Sequence, residues 1–125
     1  MRLKLLLAPA LFAISFAIAC GGDMDEIEFC NEFQSAMCGK IFNCVDQSIR
    51  DTAEFKAAVG LNAGDCTTKF RAAECNADNA KCPSGKTYKS DQAEACLGGV
   101  RNLACTDLRD LANIPTPASC NLICT

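Results

Sequence analysis

The chain of 125 residues contains no histidine and no tryptophan, and its aromatic complement is seven Phe and one Tyr. Without histidine there is no Ser/His/Asp or Cys/His nucleophile pair, no mixed Cys/His zinc site and no imidazole switch near neutral pH. Basic residues are also few, 12 Lys and Arg against 15 Asp and Glu. The chain therefore lacks the positive footprint that nucleic-acid binding requires, and no nucleic-acid partner is expected. No C-x-x-C occurs, which removes the signature of a thioredoxin-type redox pair, a zinc ribbon or c-type haem attachment. Period-2 alternation of useful length is missing as well, which argues against strands. At this length there is room for one domain.

What the chain does hold is cysteine, 11 residues of it, within a globular balance of 50% hydrophobic and 22% charged residues. That density in a short chain signals a disulfide scaffold, and with it an oxidising compartment. The beginning of the sequence agrees. Arg2 and Lys4 precede an apolar run over 5–19, broken only by Pro9 and Ser15. Such a run is shorter than the about 20 residues that span a bilayer core, and it closes on small residues, so 1–19 reads as a secretory signal peptide. With Arg2 and Lys4 removed, 10 basic residues face 15 acidic ones, a net charge of −5.

The segment Ala17-Ile18-Ala19-Cys20-Gly21-Gly22 resembles a bacterial lipobox. The resemblance implies that Cys20 becomes the first mature residue and carries a diacylglycerol on its sulfur and an acyl chain on its nitrogen. It also implies that Gly21, rather than Asp, permits transfer to the outer membrane. Several acyl chains anchor stably where one does not, because each buried CH₂ contributes about 0.8 kcal/mol. Cysteine parity points the same way. Setting Cys20 aside leaves ten candidates for pairing, an even number: Cys30, Cys38, Cys44, Cys66, Cys75, Cys82, Cys96, Cys105, Cys120 and Cys124. Residues 20–25 then form a lipid-anchored tether and 26–125 a cysteine-rich helical domain.

Apolar residues at Ile27, Cys30, Phe33, Met37, Ile41, Cys44 and Val45 recur at spacings of three and four, which predicts a helix over 25–46. Its acidic start, including Asp23, Asp25, Glu26, Glu28 and Glu32, suits a helix N-terminus. Along a helix rising 1.5 Å per residue, Cys30, Cys38 and Cys44 lie about 12 and 9 Å apart, beyond the roughly 7 Å that a disulfide spans. Each must staple this helix to a different partner, which makes the helix the central post. A shorter helix is expected over 52–59, stopped by Gly60, and another over 65–76 with Asp65 as its N-cap. Cys66 and Cys75 are too far apart to pair within it. Residues 76–88 are a loop by composition, with Lys81 and Lys86 in it and Lys89 just beyond as solvated charges. Ala93, Cys96, Leu97, Val100, Leu103 and Ala104 trace the last long helix, beginning at Ser90. Gly98 and Gly99 in its middle imply either a kink or a close approach by another helix. Thr106 caps a short continuation through Leu108 and Leu111, ended by Pro115 and Pro117. The tail carrying Cys120 and Cys124 has no periodicity and must be held by those two cysteines.

The expected fold is all-α: a small disulfide-stapled bundle of about four helices with irregular loops and a C-terminal tail. Five bridges at about 2–4 kcal/mol each would dominate stability. Spacing does not select among the pairings, although Cys75 with Cys82 is the favoured short closure because the Asn-rich stretch between them can turn.

The Cys30, Cys38 and Cys44 helix, the later helix with Cys96, Cys105 after Leu103-Ala104, and Pro117-Ala118-Ser119-Cys120 together resemble the small cysteine-rich lipoproteins of myxobacteria and related deltaproteobacteria. The resemblance covers most of the mature chain, fits least over 81–86, and brings no activity with it. The functional expectation is a lipid-anchored, non-catalytic envelope module that binds or scaffolds. It needs no metal or cofactor, and its partners are the outer membrane and an envelope protein. The alternative is a secreted carrier of a small apolar ligand, with Phe33, Met37, Phe42 and Phe70 lining its pocket. The carboxylate pairs Glu28 with Glu32 and Asp107 with Asp110 are the acid–base candidates; both are expected on solvated faces, so no enzymatic role is expected.

Overall fold

The computed structural model describes residues 23–125. The segment 1–19 read as a signal peptide and the lipidation candidate Cys20 lie outside the described residues. Five α-helices follow in order: α1 Glu26–Cys44, α2 Gln47–Arg50, α3 Ala53–Ala58, α4 Ala63–Glu74 and α5 Ser90–Arg101. Two 3₁₀ turns, Cys105–Leu108 and Ala118–Leu122, complete the described part, which contains no strand. The all-α expectation holds, with the single-turn α2 added to the four helices anticipated.

α1 is the post that the cysteine spacing demanded. Asp25 caps it, its carboxylate accepting the Glu28 N–H at 2.8 Å, and Glu26 and Glu28 place negative charge on the positive end of the helix dipole. α4 and α5 both pack against α1. Two apolar clusters result, one toward each end of α1. Around its C-terminal half, Cys38, Ile41 and Val45 are buried with Phe55, Val59, Cys66 and Leu108, and Met37, Phe42, Phe70 and Ile114 pack alongside. The Phe42 and Phe55 rings meet edge to face at 5.6 Å. Around the N-terminal half, Phe29 and Phe33 pack with Ala93, Cys96, Ile123 and Tyr88. Neither cluster is complete without side chains from both halves of the sequence.

The α3 to α4 turn is made by Gly60, whose φ of +127° is open to glycine and strained for other residues. A Cβ there would also lie 2.8 Å from Asp65 Oδ2 and 2.9 Å from the Cys66 nitrogen. The N-cap of α4 is Asn62, not Asp65. The Asn62 side chain accepts the Asp65 N–H at 2.8 Å, and Asp65, three residues into the helix, reaches back to accept the Leu61 N–H at 2.8 Å. Asn62 thus satisfies one free N–H of the first turn while Asp65 ties down the residue before the cap, and the helix starts three residues earlier than a lone Asp65 cap would start it.

The continuation after α5 is also corrected. It is a 3₁₀ turn over Cys105–Leu108 capped at Ala104, where the Asp107 carboxylate accepts the Ala104 N–H at 2.9 Å; Thr106 does not cap it and it stops short of Leu111. The glycine pair in α5 resolves into two different roles. Nothing would meet a Cβ on Gly98, whereas one on Gly99 would lie 2.6 Å from Pro117 Cβ. Close approach is therefore required at Gly99, and the approaching group is the Pro117 ring rather than a helix. The tail is held by its cysteines and also by a short antiparallel backbone pairing. Thr87 and Thr125 exchange hydrogen bonds of 2.8 and 3.1 Å around a Tyr88–Cys124 bridge.

Candidate functional site

The chemistry of this chain is concentrated in its ten described half-cystines, all of which are bonded. The pairs are Cys30–Cys75, Cys38–Cys66, Cys44–Cys105, Cys82–Cys124 and Cys96–Cys120, with Cα separations of 4.7–5.9 Å. The three α1 cysteines go to three different partners, as their spacing requires. The short closure of Cys75 on Cys82 does not form. α4 runs antiparallel to α1, so two cysteines nine residues apart on α4 meet two that are eight apart on α1, about 13 Å against 12 Å. Cys75 is thereby committed to Cys30. The Asn-rich turn needs no covalent closure, because Asn76 Oδ1 accepts the Asp78 and Asn79 N–H groups at 3.1 and 3.0 Å and the Asn79 side-chain amide donates to Ala73 O.

The bridges divide the molecule. Cys30–Cys75 and Cys38–Cys66 lie wholly within residues 30–75, and Cys82–Cys124 and Cys96–Cys120 wholly within 82–124. Apart from the main chain over 76–81, only Cys44–Cys105 joins the two halves covalently. Beside it, Lys40 Nζ donates to Leu103 O at 2.9 Å.

At this end of α1, Cys44, Val45, Asp46, Ile49, Leu108, Arg109 and Leu111 line a cleft of about 130 Å³. Its rim includes Ile49, half exposed, and Leu111. The volume is below the about 300 Å³ at which pockets for drug-sized molecules begin. A larger depression, about 570 Å³, runs along the other end of α1, and Asp25, Ile27, Glu28, Asn31, Glu32 and Arg71 line it. Arg71 is oriented there by Asn31, whose backbone oxygen accepts from Nε and Nη2 at 3.1 and 3.0 Å.

The four side chains expected to line a carrier pocket do not converge. Phe33 packs in the N-terminal cluster, while Met37, Phe42 and Phe70 pack against the C-terminal one. The carboxylate pairs are otherwise engaged. Glu32 pairs with Arg101 at 3.6 Å, Glu28 is exposed, and Asp107 caps the 3₁₀ turn. Asp110 accepts from the Asn113 side-chain amide at 2.6 Å and from the Ala112 N–H at 3.0 Å. These bonds, the Asn113 one foremost, hold its exposed carboxyl below the usual carboxylate range. Lys81, Lys86 and Lys89 are exposed. Among the described residues, no cluster of three or more Cys, Asp or Glu is arranged to hold a metal ion, and no helix is long and apolar enough to cross a membrane.

The structure adds one titratable site that sequence patterning did not single out. Tyr88, half-buried against the cluster of Ala93, Cys96 and Ile123, donates its hydroxyl to Asp25 O at 3.3 Å. Burial and then the surrounding negative charges of Asp25, Glu26, Glu28 and Glu94 push its phenol up to about 12. The acidic run before α1 was legible as a helix start; its convergence on the lone tyrosine depends on a contact across 63 residues. No family model, curated protein or solved structure matches the chain.

Proposed function

We propose that this chain is an exported, lipid-anchored, non-catalytic module of the bacterial envelope, in which a covalently stapled helical body is held at the outer membrane to bind or scaffold an envelope partner. The observation that carries the proposal is the pairing itself. Ten of the eleven cysteines in the sequence bond one another, and the one left by the count, Cys20, stands in a lipobox-like segment after an apolar leader. Five bridges in about 100 residues suit an oxidising compartment.

An anchor at Cys20 would act at one end of the helical body. Residues 23–25 precede the N-terminus of α1, and α1 has 19 residues, so its far end lies about 28 Å along the axis. The end near the tether is acidic and would be repelled by anionic lipid head groups; the Ile49 and Leu111 cleft is at the opposite end.

The test is expression with the native leader in an outer-membrane bacterium, followed by detergent phase partitioning. The protein is expected in the detergent phase, and Cys20→Ser is expected to move it to the aqueous phase with its bridges intact. A wild-type protein found in the aqueous phase with an unmodified Cys20 overturns the proposal.

A further inference from the structure

We propose that Cys44–Cys105 is a redox-controlled clasp, the one bridge opened by an external dithiol while the other four persist, and that its opening releases the 103–116 segment from the end of α1. The proposal rests on the exported reading only for its setting, a compartment in which thiol–disulfide exchange operates.

Two independent observations single out this bridge. The first is access. Cys105 is solvent-exposed and Cys44 half-buried, whereas Cys38–Cys66 is buried at both ends, Cys96 is fully buried, and the cysteines of the other two bridges are at most half-exposed. A reductant must bring its sulfur onto a disulfide sulfur, so exchange follows access to that atom. The second is topology. Every other bridge closes a loop inside one half of the molecule, and Cys44–Cys105 alone fastens one half to the other. Reducing it leaves both halves internally stapled.

One thiolate of the dithiol attacks Cys105 Sγ and forms a mixed disulfide; the Cys44–Cys105 bond breaks, its electron pair goes to Cys44 Sγ, and that sulfur takes up a proton. The second thiol of the reductant then attacks the mixed disulfide and releases Cys105. Two electrons and two protons pass to the protein, and the reductant leaves as a disulfide.

The consequence is local. Residues 103–116 are bounded by α5 on one side and, through Pro117 and the Cys96–Cys120 bridge, by the tail on the other. Between these ends the segment is held to α1 by the clasp, by the Lys40 bond to Leu103 O, and by insertion of Leu108 and Ile114 into the C-terminal cluster. Without the clasp the packing of Leu108 and Ile114 and one hydrogen bond remain, so local opening of the segment is opposed by non-covalent contacts alone. The cleft between Val45, Ile49, Leu108 and Leu111 exists only while the segment is docked. Phe29 and Phe33 stay packed on the α5 side, so the two halves remain together and only the clasp end changes shape.

The test uses the oxidised full mature protein, titrated with dithiothreitol, alkylated with N-ethylmaleimide and mapped by peptide mass. Cys44 and Cys105 are expected to be labelled together at a dithiothreitol concentration about tenfold below that opening any other bridge. Trypsin cleavage after Arg109 is expected to rise about tenfold in the same interval. Simultaneous reduction of all bridges, or first labelling elsewhere, overturns the proposal. The double variant C44S/C105S keeps the second half of it testable: with the other four bridges formed, an unchanged rate of cleavage after Arg109 would show that the bridge does not hold the segment. These readouts concern the folded oxidised domain alone; a lipid-free Cys20 in the native protein would refute the anchored reading and leave them standing.

Discussion

Replacing Gly98 or Gly99 by alanine places the same methyl group on adjacent residues of one helix, in surroundings that differ in one respect. Each substitution removes a helical glycine, which favours the folded state by about 0.5–1 kcal/mol through helix propensity and the unfolded chain's entropy. At Gly98 the methyl meets nothing within 4 Å, so that gain stands. At Gly99 it would lie 2.6 and 2.8 Å from Pro117 Cβ and Cγ. The proline ring cannot rotate away, and Cys120, three residues on, is tied back to Cys96 on the same helix. Overpacking of this kind costs about 1–3 kcal/mol. The propensity term cancels in the comparison, so Gly98→Ala is expected to be the more stable variant by about 1–3 kcal/mol. Urea unfolding with all bridges intact reads this directly: at an m-value of about 1–2 kcal/mol/M, a 2 kcal/mol difference separates the midpoints by about 1–2 M. Coincident midpoints would refute the packing of Pro117 on α5.

Three further outcomes follow from the same geometry. Tyr88 is the only tyrosine and tryptophan is absent, so absorbance at the phenolate band should show a single ionisation near pH 12 in the folded protein instead of about 10, with Glu28→Gln and Glu94→Gln each bringing it down. Because the folded value is the higher one, the unfolded chain loses its proton first; the stability contribution is full below pH 10 and falls as pH rises from about 10 to 12, which urea midpoints across that range measure. Asn62→Ala removes the α4 cap and should cost about 1 kcal/mol in the same assay, whereas an exposed Asn121→Ala should be near neutral. Removing the buried Cys38–Cys66 bridge as C38A/C66A, which opens a 28-residue closure, should cost about 3.5 kcal/mol by loop entropy; a loss below about 1 kcal/mol would contradict its place in the core.

Much of this fold is written locally, and the part that is not has definable causes. The α1 periodicity and the distances between its cysteines carry the central post and its three separate partners, because both depend only on helical rise. The actual partners depend on the direction in which α4 returns along α1. One usable signal lay in the sequence: the eight-residue spacing of Cys30 and Cys38 matches the nine-residue spacing of Cys66 and Cys75, as antiparallel helices require. Chain proximity favoured Cys75 with Cys82 instead, and the Asn76 and Asn79 side chains make that closure unnecessary. The Asp65 cap was misplaced because a carboxylate three residues into a helix resembles one at its start until Asn62 is considered with it. The Tyr88 site and the division into two stapled halves are properties of long-range contact, which no local pattern encodes. Phe33 shares a helical face with Met37, but the post faces different clusters at its two ends, so face alone did not assign them to one pocket.

The intact mass of the native protein before and after reduction distinguishes an anchored domain with all its remaining cysteines paired from a released one. The expected mass is that of residues 20–125 plus lipid, rising by ten hydrogens when the five bridges are reduced. A lipid-free mass, or a gain of fewer than ten hydrogens, would contradict it.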